Sequence, residues 1–310
     1  MTFWRKWRRA EPEAAPAEPQ AAAPQTTLVP EIVLLSAPRS GTNFFCECLV
    51  DLPEIMGLYE IFNRGGVYGA DRGNQLAILS EVSGVEASAA SDPELVALFR
   101  EHPLEALRAL RETAERVGQS VVSYKIFPNQ LSDEALERIL ADDHRIPLIL
   151  VRSRLDVFVS YEKARQSKTW KNADTSAMRP TIDVDEFVEW ARGNDAWFTS
   201  LADTLDRLGR PYRMLSYAED VDVPKPQLIA DLHATLVEDG VAVSLPAKSP
   251  GVRFQRQDVV AEPFAKVAGG EELRAELVAR GLLDYALGEP LSGRGGRHGL
   301  VAATGGDTAS

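Results

Sequence analysis

The sequence predicts an α/β fold, a three-layer sandwich with a central parallel sheet and a strand-loop-helix unit near its start. Three observations predict it. Short, continuous apolar runs recur along the chain instead of alternating ones, and strands that read this way are buried on both faces, as in parallel sheets covered by helices. Each run ends in turn residues and leads into a segment with helical periodicity, the alternation expected of βαβ units. The 310 residues are 45% hydrophobic and 26% charged, enough apolar surface for a sizeable core in an ordinary globular composition. Length alone leaves one large domain or two small ones open.

Glu31-Ile32-Val33-Leu34-Leu35-Ser36 is the first apolar run, and a Pro/Gly loop joins it to a helix beginning near Asn43. Ser120 to Ile126 reads as a second strand, followed by a Pro-Asn turn and a helix that Ser132 can cap, with Glu134 and Glu137 in its early turns. Pro147 to Val151 is a third, feeding a helix from about Ser153 to Lys168. A long amphipathic helix from about Asp183 to Leu208 precedes the fourth, Tyr212 to Tyr217. Ligands of such sheets bind beyond the carboxyl ends of the strands.

The folded region is expected to span 31–287. Residues 1–30 are rich in Ala, Pro, Glu and Gln and bury too little to offset ordering, so they read as a disordered tail. Residues 288–310, rich in Gly and Ser, read as a flexible C-terminal tail. The start combines Trp and Arg, which suits weak peripheral contact with an anionic membrane surface. No apolar stretch has the length of a membrane span or the core of a secretory signal.

A net charge of −12 argues against nucleic acid as a partner, because a phosphate backbone needs a broad basic face. A small anion needs only a local pocket. Cys46 and Cys48 lie two apart in a predicted helix, about 200° apart around its axis, so they do not bridge each other. They read as buried neutral thiols, which fits a reducing cytoplasm.

The loop Ser36-Ala37-Pro38-Arg39-Ser40-Gly41-Thr42-Asn43 is a P-loop-like anion cradle: backbone N–H groups and the positive end of a helix dipole meet there. It lacks the lysine of the Walker pattern, since Gly41 is followed directly by Thr42. Arg39 offers fixed charge instead, and Ser40, Thr42 and Asn43 offer hydrogen bonds. A phosphoryl or a sulfuryl donor would suit this loop equally.

A second constellation, Arg152-Ser153-Arg154-Leu155-Asp156-Val157-Phe158-Val159-Ser160, follows another predicted parallel strand. Together the two motifs resemble those of the sulfotransferase superfamily, most closely in pattern the bacterial trehalose-sulfotransferase type. The resemblance implies 3′-phosphoadenosine-5′-phosphosulfate as donor, with no metal. By it, Pro38, Arg39, Ser40, Gly41, Thr42 and Asn43 would hold the 5′-phosphosulfate, and Arg152 and Ser160 the 3′-phosphate, while Asp156 would orient the local structure. Ser123 to Gln130 resembles a K-x-x-x-N-Q segment that would bring Lys125 to the sulfuryl or bridging oxygens. Leu215 to Asp220 resembles the family's aromatic-acidic turn after a late strand, which is mainly structural, with Tyr217 as its candidate contact to the donor. Phe254 to Asp258 resembles a late loop closing over it, with Arg253 and Arg256 toward the 3′-phosphate.

Phe127 stands where the cytosolic animal branch of that superfamily has a histidine two residues after the lysine, and His102, His144, His233 and His298 do not follow core strands directly. Glu60, in a Tyr-Glu-x-Phe segment like that of bacterial relatives, is the candidate base. Its apolar neighbours Tyr59, Ile61 and Phe62 would raise a carboxyl toward roughly 6–7, where a general base is most useful. The expected reaction moves a sulfuryl group to a hydroxyl of a carbohydrate or glycolipid, with Trp170, Trp190 and Trp197 as faces for a sugar and the segment from Trp170 to Thr181 as its cover. A P-loop nucleotide kinase and a non-catalytic nucleotide-binding protein are the alternatives. The sequence is silent on oligomeric state.

Overall fold

The structure, a computed structural model, describes residues 29–168, 175–248, 251, 262–294 and 297–301. The first apolar run forms β1 (Glu31–Ser36), and all six of its residues are buried. It is followed by α1 (Thr42–Val50), β2 (Ile55–Glu60), α2 (Gln75–Ser83), α3 (Pro93–Glu101) and α4 (Pro103–Arg116). Next come β3 (Val121–Ile126), α5 (Asp133–Leu140), β4 (Arg145–Val151) and α6 (Arg154–Ser167). The chain continues through α7 (Val184–Arg207), β5 (Arg213–Ser216), one π-helical turn (Tyr217–Val221) and α8 (Lys225–Glu238). A 3₁₀ turn (Phe264–Lys266), α9 (Gly270–Ala279), α10 (Leu283–Leu287) and β6 (Arg297–His298) complete the described elements.

Caps explain several helix starts. The Ser132 hydroxyl accepts from the Ala135 amide, Ser153 from Asp156 and Asp183 from Glu186, each satisfying a first-turn donor that has no partner in the helix.

The sheet order is β2-β3-β1-β4-β5-β6 and every pairing is parallel. Alternate residues of β1 explain the layers. Val33 and Leu35 pack with residues of α2, α3, α4, α5 and the second half of α7, whereas Ile32 and Leu34 pack with α1 and α8. A third cluster joins α6, the first half of α7, α9 and α10. Both faces of the strand are therefore covered, which is why its sequence is continuously apolar. No helix among the described residues is long and apolar enough to cross a membrane.

Two features lie outside what patterning predicts. β2 is absent from the sequence reading, because Ile55-Met56-Gly57-Leu58 follows α1 after only four residues. The packed chain also continues past 287: Leu291 and Leu300 lie against the core and Arg297–His298 extends the sheet beside β5. A two-residue strand amid glycines carries no periodicity to read.

The chain runs from β1 to one side of the sheet, through β2 and β3, and then crosses to the other side of β1 as β4. The order thus reverses between β1 and β4, and the crevice beyond their carboxyl ends is where α/β sheets bind ligands.

Candidate functional site

Two loops open at that crevice. The first is fastened from below, where the Ser36 hydroxyl donates to the Leu150 carbonyl of β4 at 2.7 Å. Its backbone then turns through two left-handed residues, Arg39 at φ 75° and Gly41 at φ 83°. Gly41 caps α1 without a side chain. The Phe44 and Phe45 amides bond to the Gly41 carbonyl, so the amides of Thr42 and Asn43 stand ahead of the helical ladder, where the dipole favours an anion. Glycine is required here on two counts. Its φ is unfavourable for any residue with a Cβ, and a Cβ would lie 2.3 Å from Cε2 of Tyr217.

That tyrosine begins the π-helical turn after β5, closed by the Asp222 amide donating to the Tyr217 carbonyl at 2.8 Å. Its ring has Gly41 at one edge, and the Arg152 guanidinium lies 4.2 Å from its centroid. Arg152 follows the last residue of β4, and its Nη1 donates to the Arg39 carbonyl at 3.3 Å. Arg39 in turn donates from Nε to the Ser160 hydroxyl of α6 at 3.0 Å. A chain of contacts thus links the loop after β1, Arg152, Ser160 and Tyr217.

The charge balance there is unusual. Burial first, and the Arg152 charge second, hold the Arg39 guanidinium below its ordinary range. Arg152 Nε is buried and has no hydrogen-bond partner among the described residues. Adjacent guanidinium groups and an unsatisfied donor fit an anion. A carboxylate stands behind them: Glu289 accepts from the Ser216 hydroxyl at 2.8 Å, and burial raises its carboxyl above the usual range.

Lys125 reaches the same loop from β3. Its ammonium is buried and donates to Thr42 Oγ1 at 3.1 Å and to Asn43 Oδ1 at 2.6 Å. Glu60 Oε1 lies 3.4 Å away. A shift in register makes that approach possible. Gly57 pairs with Ser123 and Glu60 with Lys125, three steps on β2 against two on β3. The extra residue is a bulge, and without it Glu60 would point to the face opposite Lys125.

The surroundings of Glu60 are more polar than its sequence neighbours suggest. Asn63 Nδ2 donates to its Oε2 at 2.7 Å, and Gln130 Nε2 lies 3.4 Å from the same oxygen. Gln130 is itself anchored, its Oε1 accepting from the Phe127 amide at 2.9 Å. The Phe127 ring lies 4.7 Å from the lysine ammonium. Ile61 and Phe62 turn into the core instead of surrounding the carboxyl.

Glu60, Lys125, Arg39, Gly41, Thr42, Asn43, Arg152, Ser160 and Tyr217 are therefore brought to one end of the sheet, with Ser40 buried in the loop and Pro38 exposed on it. Arg253, Arg256 and Trp170 lie outside the described residues. Trp190 and Trp197 are core-packed, Trp190 at 5.2 Å from Phe158 and Trp197 at 5.0 Å from Phe198. Asn63, Glu289 and Lys266, which bonds Asp156, were not legible as site residues, because each acts through a contact that no motif marks. Gln130 was visible within its segment, but its link to Glu60 was not.

Burial pushes the thiols of Cys46 and Cys48 up to about 11 and about 12, and both are free. Among the described residues, no group of three or more His, Cys, Asp or Glu side chains is placed to hold a metal ion.

No family model matches the chain, and no curated protein matches it. Among solved structures, it is similar to a sulfotransferase from Alicyclobacillus acidocaldarius, with 15% identity, a TM-score of 0.38, and coverage of 83% of this chain and 95% of that one.

Proposed function

We propose that the protein is a sulfotransferase that takes a sulfuryl group from 3′-phosphoadenosine-5′-phosphosulfate and passes it to a hydroxyl, of a carbohydrate or glycolipid by the resemblance of its motifs. The observation that carries the reading is the hydrogen bond from Arg39 to Ser160 across the mouths of β1 and β4. It joins the loop that suits a 5′-phosphosulfate to the side chains that suit a second anionic group. Arg152, with its unsatisfied Nε, supplies the matching charge.

In this reading the acceptor oxygen attacks sulfur as the bond from sulfur to the bridging phosphate oxygen breaks. Glu60 takes the hydroxyl proton, and the electron pair leaves on the phosphate of 3′,5′-ADP. Lys125, Arg39 and the first amides of α1 stabilise that departing charge. Asn63 and Gln130 hold Glu60 Oε2, which orients the carboxylate while Oε1 faces the ammonium.

Titration calorimetry tests the donor. The protein should bind 3′,5′-ADP far more tightly than 5′-AMP, and Arg152→Ala should erase most of that preference. Equal affinity for both nucleotides would sink the assignment, and magnesium-dependent ATP turnover would favour a kinase. Tight 3′,5′-ADP binding without transfer to any of a broad acceptor panel would favour a non-catalytic nucleotide-binding protein.

A further inference from the structure

Asp156 lies in the first turn of α6, four residues after Arg152, which precedes the helix and its cap Ser153. The two opposite charges meet only at the long end of ion-pair range. Arg152 Nη2 is 3.9 Å from Asp156 Oδ1, whereas the Lys266 ammonium lies 2.5 Å from the same oxygen. Lys266 belongs to the 3₁₀ turn far along the chain, and the turn is locked in place: Phe264 and Val267, on either side, pack with Leu155 and Phe158 of α6. The Ala268 amide also donates to the Pro180 carbonyl at 3.0 Å. The lysine stem is buried, so its ammonium has little freedom to leave Asp156.

We infer that Lys266 is a positioning residue that occupies Asp156 and so keeps Arg152 available for the second anionic group of the nucleotide. The inference rests on the donor proposed above. Among the described residues, Arg39 and Glu289 also lie near Arg152: the Arg39 carbonyl accepts from it, and Glu289 is engaged by Ser216. Asp156, in the first turn of α6, has its Oδ1 at 3.9 Å from the guanidinium of Arg152, which stands just before that helix. Without Lys266, Asp156 would close on Arg152, and an incoming phosphate would have to displace it. With Lys266 in place, Asp156 is held at 3.9 Å, and Arg152 Nε has no hydrogen-bond partner among the described residues.

The test is calorimetric binding of 3′,5′-ADP and 5′-AMP to the full chain, with K266Q, D156N and the double variant beside the wild type. K266Q should bind 3′,5′-ADP roughly tenfold more weakly while 5′-AMP changes by less than about twofold. D156N should bind 3′,5′-ADP at least as tightly as the wild type. D156N/K266Q should recover to within about threefold of it, a rescue that lost packing alone would not produce. A wild-type preference for 3′,5′-ADP that K266Q leaves intact overturns the inference alone. Weakened binding by D156N overturns it as well, and decides the matter if K266Q does not fold. Equal wild-type affinity for the two nucleotides overturns the donor reading and the inference with it.

Discussion

Gly41→Ala probes the site at its tightest contact. Two costs arise, and the structure separates them. The first is local: at φ 83° a residue with a Cβ is strained by roughly 1–2 kcal/mol. The second is steric: the new Cβ would lie 2.3 Å from Tyr217 Cε2 and 2.5 Å from Cδ2. An ordinary contact begins at 3.4 Å, so the ring must withdraw by about 1 Å, which its buried backing resists. Withdrawal takes the ring from beneath Arg152, at 4.2 Å, a cation–π contact of about 1 kcal/mol. Gly84→Ala is the matched control, since φ is 71° there and nothing lies within 4 Å of the added Cβ. It carries the strain without the clash. Gly84→Ala should lower Tm by about 2–4 °C and leave nucleotide binding unchanged, whereas Gly41→Ala should lower Tm further and weaken 3′,5′-ADP roughly tenfold. Thermal unfolding and calorimetry on the two variants decide it. Equal Tm values together with unchanged 3′,5′-ADP affinity in Gly41→Ala would refute the claim that Tyr217 is wedged between the loop and Arg152.

Three further outcomes are expected. Glu60→Gln should keep 3′,5′-ADP affinity and reduce sulfuryl transfer at least about 100-fold, and near-normal turnover of radiolabelled donor would remove Glu60 as base. Glu31→Gln, which breaks the buried pair with Arg145 at 2.8 Å and leaves Arg145 underpaired, should cost about 3 kcal/mol in urea unfolding. Because that pair is at the opposite end of the sheet, nucleotide affinity should not move. The third concerns pH. The native thiols are held at about 11 and about 12, while an unfolded cysteine ionises near 8.5. Their contribution to stability is therefore complete below about 8.5 and lost as pH rises toward the folded values, at about 1.4 kcal/mol per pH unit for each thiol. Urea midpoints measured between pH 8 and 10 should fall less steeply in Cys46→Ala than in the wild type, and parallel slopes would contradict the burial argument.

Periodicity reveals an element where burial is uniform along it. The run from Glu31 to Ser36 is covered on both faces, and the strand coincides with it; Asp183 and Leu208 flank α7 because a capping carboxylate and an amphipathic stripe mark its limits. The same logic passes over β2, whose edge position and bulge break the pattern just where Glu60 is aimed. Contacts between distant residues are likewise invisible to it. Glu289 reaches Ser216 across 73 positions and Lys266 reaches Asp156 across 110, and no local spacing encodes either. The expectation of apolar surroundings for Glu60 came from reading sequence neighbours as spatial ones. On a strand end, Ile61 and Phe62 continue into the core, while Asn63 folds back over the carboxylate.

The loop lacks the Walker lysine, but the neighbouring strand brings one to it. The position directly after Gly41, where the Walker pattern has its lysine, is held by Thr42, the first residue of α1. Lys125 delivers its charge from the neighbouring strand instead, and Thr42 and Asn43 accept its hydrogen bonds at the helix start. Placed there, the ammonium stands between the cradle and Glu60, 3.4 Å from the carboxylate. In the reading proposed above, an anionic group that draws Lys125 toward the loop would loosen its hold on Glu60, so a lysine on β3 would link donor binding to proton transfer.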